Sequence, residues 1–147
     1  MGAHPYYYFV KHQPDIEAAL QDLRRREFRA GRYNPAQPFP HFPIRPDSPA
    51  PGAKHESIYE AVEDAAEEGT RSILDIESVS DWPDFGVASP LSEEDLERHF
   101  GTRQPTKEMV SRNLGFLAYV QRGRCVYIIV FESAQPAELF FGGYSFD

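Results

Sequence analysis

The stretch Cys125-Val-Tyr-Ile-Ile-Val-Phe131 constrains this chain more than any other, because its alternation contains no polar position. Strand geometry sends Val126, Ile128 and Val130 to one side and Tyr127, Ile129 and Phe131 to the other. A strand apolar on both sides is normally covered on both faces. The break Glu132 to Pro136 is short enough for a hairpin, and Ala137 to Tyr144 reads as the returning strand, loosened by Gly142-Gly143. This hairpin is the expected centre of one small core.

The chain's 147 residues place it within the usual size of one domain, spanning 1–147. The 11 Phe, 8 Tyr and 1 Trp supply apolar mass and argue against disorder outside one loop. The single cysteine, Cys125, excludes an intrachain disulfide, and its place in a strand predicts a buried, inert thiol. No apolar run approaches the roughly 18 residues of a membrane span, and the N-terminus lacks a basic-then-apolar signal region. The expected location is cytoplasmic. A formal net charge of −8 argues against nucleic acid and anionic membranes. It is compatible with a basic protein partner, although solubility alone also accounts for it.

Along the chain, Tyr6 to Val10 reads as a first strand, rich in aromatics. A helix is predicted over about 14–30. Pro14 is suited to its first position, Ile16, Ala19, Leu20 and Leu23 form its apolar stripe, and Gly31 is its stop. Ser57 with Glu60 makes a capping box for a second helix closed by Gly69. Arg71 to Ile76 reads as a strand and Ser78 to Pro90 as a loop. Ser92 and Asp95 cap a short helix ending at Gly101, and a last helix is predicted from Thr106 towards Gly123. These segments predict an α+β fold. The expected form is a single two-layer domain, with a mostly antiparallel sheet of about four strands and helices on one face. A barrel-like sheet around a helix is the alternative.

Residues 33–55 are different in kind. Seven of the chain's 13 prolines fall there, which predicts an extended, proline-rich strap without helix. Its Phe39, Phe42 and Ile44 are more than a tether needs, and they are expected to bury against one face of the Cys125–Phe131 strand. The strap also carries P-x-x-P spacing, which aromatic grooves on other modules bind.

Four stretches resemble a set of small uncharacterised bacterial proteins. They are Arg26-Glu-Phe-Arg-Ala-Gly-Arg-Tyr-Asn-Pro35, Pro51-Gly-Ala-Lys-His55, Gly69-Thr-Arg-Ser-Ile-Leu-Asp75 and Gly143-Tyr-Ser-Phe-Asp147. The resemblance implies one domain and a bacterial source, and carries no activity.

Motifs for nucleophilic catalysis and phosphate cradles are absent, and the five histidines lie at no metal-ligand spacing. No metal site and no cofactor are expected. Three functional readings remain. The first is a non-enzymatic protein-binding domain, of the kind an immunity protein or antitoxin represents. It would dock on a basic partner through Glu60, Glu63, Asp64, Glu67 and Glu68 of the second helix. The second is a metal-dependent hydrolase or nuclease. It rests on Asp75 and Glu77 as alternate residues of one strand, with His55 or Glu56 nearby. The third is a small-ligand sensor with a pocket roofed by the strap and edged by Arg32, Tyr33 and Asn34. For the basic cluster Arg24, Arg25, Arg26, Arg29 and Arg32, pairing with the chain's own acids competes with phosphate or RNA contact.

Overall fold

The architecture comes from a computed structural model, which describes residues 4–146. Its centre is the hairpin that the sequence singles out. Strand β4 (Cys125–Glu132) pairs antiparallel with β5 (Gln135–Tyr144). The turn is tighter than predicted. Ser133 and Ala134 form it with φ of 49° and 63°, and two consecutive left-handed residues match the twist of paired strands. Pro136 therefore lies inside β5, opposite Phe131, where the ladder register shifts.

Strand β1 (Pro5–Lys11) pairs antiparallel with the other side of β5. Two short strands, β2 (Ser78–Val79) and β3 (Val87–Pro90), add in parallel beyond β4. The sheet is thus mixed and five-stranded, in the order β1-β5-β4-β3-β2. The predicted loop Ser78 to Pro90 contains both short strands.

Helices cover both faces of this sheet, which corrects the expected single helical layer. Helix α1 (Ile16–Ala30) starts at Asp15, whose carboxylate accepts from the Ala18 N–H at 3.1 Å, and stops at Gly31 in the left-handed conformation. Its Ala19, Leu20 and Leu23 pack with Tyr6, Tyr8, Leu139 and Phe141 on one face. On the other face, Ile128, Val130 and Phe140 meet Val110 of α4 (Lys107–Arg112) and Phe116 and Leu117 of the 3-10 turn Leu114–Tyr119. Leu96 of α3 (Glu93–Phe100) borders that second cluster. The cause is the one read in the sequence. Three adjoining strands, β1, β5 and β4, are apolar on both sides, and one layer of helices cannot dry both.

Local chemistry explains the remaining departures. Arg71–Ile76 is not a strand; Ile73–Asp75 is a 3-10 turn. The Ser72 hydroxyl accepts from the Leu74 N–H at 3.2 Å, and the Asp75 carboxylate accepts from the Thr70 N–H at 2.8 Å. These short-range bonds occupy groups that a ladder needs. Helix α2 (Ile58–Asp64) ends well before Gly69. Its exit carries Glu63, Asp64, Glu67 and Glu68, like charges set against the negative end of the helix dipole. The last predicted helix breaks at Asn113, whose side-chain amide donates to the Met109 carbonyl at 2.6 Å.

The strap contains no helix or strand from 32 to 57. Its Phe42 and Ile44 join the core cluster that contains Cys125, Tyr127 and Ile129, and the ring contacts of Phe42 are with β1. The Phe42 ring meets Tyr7 at 5.9 Å and Tyr8 at 5.3 Å. Consecutive strand residues point to opposite faces, so Phe42 sits over the outer edge of β1. That edge is the one in need of cover, and a proline-rich segment covers it without extending the sheet. Phe42 and Ile44 pack against the α1-side core, whereas Phe39 is 55% exposed, under the Arg71 guanidinium at 4.4 Å.

Candidate functional site

The geometry of the site begins with Glu27. It lies on the inward side of α1 and is fully buried. A buried carboxylate must be paired. Arg32, just past the helix stop, donates from Nε and Nη2 at 2.8 Å each, and Arg26 donates from Nε at 2.8 Å. Hydrogen bonding to Glu27 holds the Arg32 guanidinium above its ordinary pKa. The two arginines are thereby fixed beside the outer edge of β1.

A cleft of about 690 Å³ opens there. Pro43 to Pro46 of the strap form one wall, Tyr7, Tyr8 and Phe9 of β1 the floor, and Lys107, Ser111 and Leu114 the far side. Four cations line it, Arg26, Arg32, Arg45 and Lys107, and no acidic residue does. Lys107 is 5.1 Å from the centre of the Phe9 ring and 3.6 Å from Glu138. Burial raises the Tyr7 phenol pKa, and the charge of Arg45 partly offsets that rise. The arrangement presents fixed positive charge over an apolar and aromatic floor.

Of the predicted pocket residues, only Arg32 reaches this cleft. Tyr33 and Asn34 are buried. The Tyr33 hydroxyl accepts from the Lys54 N–H at 3.0 Å and lies 2.8 Å from His55 Nδ1. The other ring nitrogen, His55 Nε2, lies 2.8 Å from Asp64 Oδ2, so the imidazole bridges Tyr33 and Asp64. The Tyr–His–Asp chain has the order of a proton relay, but Tyr33 is closed to solvent. It serves as a latch that ties the strap's end to α1 and α2. Asn34 Nδ2 donates to the Gly69 carbonyl at 3.0 Å and to Glu68 at 3.2 Å, fixing the loop after α2.

Asp75 and Glu77 do not share a strand face. Asp75 is buried in the 3-10 turn, and Glu77 is exposed beyond it. Glu77 belongs to the backbone framework, its N–H donating to the Gly86 carbonyl at 2.8 Å. His55 is engaged in the latch, and the exposed Glu56 donates its N–H to Glu60 Oε2 at 3.1 Å. No group of three potential metal ligands exists among the described residues.

The acidic helix is largely occupied by its own chain. Glu60 accepts from the Glu56 N–H, Asp64 binds His55, and Glu68 contacts Asn34 and, at 3.4 Å, Arg71. Glu63 and Glu67 are exposed, with Tyr59 beside them 73% exposed. The basic cluster of α1 is also partly self-paired. Arg25 meets Asp22, Arg26 and Arg32 share Glu27, and Arg24 donates to Gln21 at 2.9 Å.

Arg45 and Lys107 are the residues that sequence reasoning missed. They stand 62 positions apart, and Arg45 sits among prolines in a segment read as packing material. The only signal was a cation flanked by Pro43 and Pro46, in a segment too stiff to be a free tether. No helix among the described residues is long and apolar enough to cross a membrane. The chain matches no protein-family model, no curated protein and no solved structure.

Proposed function

We propose that this chain is a small-ligand binding domain whose site is the strap-walled cleft and whose ligand is an anion. One observation carries the reading: four cations converge on a single cleft in a chain of net charge −8. Spread over an acidic surface, cations serve solubility. Gathered in a cleft with low-dielectric walls, they focus a positive field and raise the local concentration of anions. Glu27 supports the same reading, because a buried acid that fixes two arginines holds them ready for a ligand. A thermal-shift panel of phosphate, sulfate and citrate at constant ionic strength tests it. At least one anion raises the melting temperature, and the double variant Arg45→Glu/Lys107→Glu abolishes the rise. Equal melting with every anion removes the reading.

A second reading keeps α2 as a docking surface for a basic protein, as in an immunity protein or antitoxin. The exposed Tyr59, Glu63 and Glu67 favour it, since Tyr59, hydrogen-bonded to Glu63, puts an aromatic ring on an exposed acidic face. Glu63→Lys with Glu67→Lys then eliminates partner capture at low salt and leaves the fold intact. Capture that survives the double reversal removes this second reading.

A further inference from the structure

We infer that the cleft selects a phosphate monoester carried on an apolar body, rather than an inorganic anion. This rests on the anion-binding reading above and gives it a ligand class. Charge supplies the first argument. Arg26, Arg32, Arg45 and Lys107 set against Glu27 and Glu138 leave an excess of two positive charges. A phosphate monoester near neutral pH carries about −1.5 to −2 charges and offers three acceptor oxygens, which matches that excess. A carboxylate or a sulfate ester leaves one charge uncompensated.

Size supplies the second. The cleft's 690 Å³ is far more than the headgroup needs. The remainder is walled by Pro43, Ile44, Pro46 and Leu114 over the rings of Tyr7 and Phe9. An apolar or aromatic body seated there leaves water, and its burial adds to the electrostatic term.

Donor geometry supplies the third. Both Arg26 and Arg32 give Nε to Glu27, and Arg32 gives Nη2 as well. Arg45 and the Lys107 ammonium complete the positive wall. The Arg26 Nη groups and Arg32 Nη1 are outside the bonds to Glu27, and with Arg45 and a point ammonium they suit a tetrahedral anion.

The experiment is calorimetric titration of the full chain with phenyl phosphate, inorganic phosphate and phenyl sulfate, at fixed ionic strength and pH 7.5. Phenyl phosphate binds at least about ten-fold tighter than either of the others. Arg45→Ala weakens it about ten-fold. Leu114→Asp removes its advantage over inorganic phosphate, and its binding weakens below about pH 6 as the ester takes up a proton. Arg45 and Lys107 are exposed, so their variants test the site without threatening the fold. Equal binding of phenyl and inorganic phosphate overturns the inference and leaves a plain anion site. Equal binding of the sulfate and phosphate esters overturns it on charge. Failure of every anion overturns the underlying reading as well.

Discussion

Arg32 grips Glu27 at two points, Nε on one carboxylate oxygen and Nη2 on the other, each at 2.8 Å. The pair closes the C-terminal end of α1, and Arg26 adds a third bond to the same carboxylate. Because Glu27 is fully buried and the Arg32 side chain is only 12% exposed, removing one partner strands the other's charge. Glu27→Ala should cost about 3–5 kcal/mol in urea unfolding. Glu27→Leu combined with Arg32→Leu should cost less than the two single changes summed. Strict additivity would mean that the pair is not coupled.

The strap contributes unequally along its length. Phe42 bridges Tyr7 and Tyr8 at the edge of β1, so Phe42→Ala leaves a cavity there and should cost about 2–3 kcal/mol. Phe39 is 55% exposed and held by the Arg71 guanidinium, and Phe39→Ala should cost less than about 1 kcal/mol. Chemical denaturation of both variants checks the order. Equal losses would contradict the placement of Phe42 over the strand edge.

Two glycines meet where the strap returns across the end of α1. Gly31 has φ of 75°, and a Cβ there would stand 2.1 Å from the Gly52 carbonyl oxygen. Gly52 has φ of 93° with open space around its Cβ position, and its N–H donates to the Ala30 carbonyl at 2.9 Å. Gly52→Ala should therefore cost only backbone strain, about 1–2 kcal/mol. Gly31→Ala adds a backbone clash to that strain and should cost distinctly more. Melting temperatures of the two variants, measured side by side, decide it.

Alkaline pH should unfold the protein through its core tyrosines. Burial raises the Tyr6 and Tyr8 phenols well above 10, and neighbouring acidic groups push the same way, Cys125 and Asp75 for Tyr6 and Glu27 for Tyr8. Below pH 10 both states keep these protons, and the contribution to stability is fully present. Above about pH 10 the unfolded chain ionises while the folded one does not, so stability falls as pH rises. Ultraviolet titration should show these two phenolates appearing only together with loss of near-ultraviolet dichroism. The buried Cys125 thiol, raised by the same desolvation, should stay inert to thiol reagents until that point.

The sequence by itself determined the hairpin and its two-sided cover, because alternation along one segment is a local property. The start of each helix was legible for the same reason. Asp15, Ser57, Ser92 and Thr106 all cap as side-chain acceptors, the first of them one residue past the Pro14 read as the helix start. Tertiary structure decided what local pattern cannot carry. Parallel pairing to β4 brings in β2 and β3, which contain too few residues to show a period. The turn at Ile73–Asp75 replaces a predicted strand because Thr70, Ser72 and Asp75 bond to one another's neighbourhood instead of to a ladder. The strap's position followed from which strand ended at the sheet's edge, and that depends on strand order. The cleft is the clearest case. Arg45 and Lys107 are ordinary surface cations in the sequence, and only the fold brings their charges onto one apolar floor with Arg26 and Arg32 of the basic cluster. Charge convergence is a property of distance through space, and a linear pattern does not encode it.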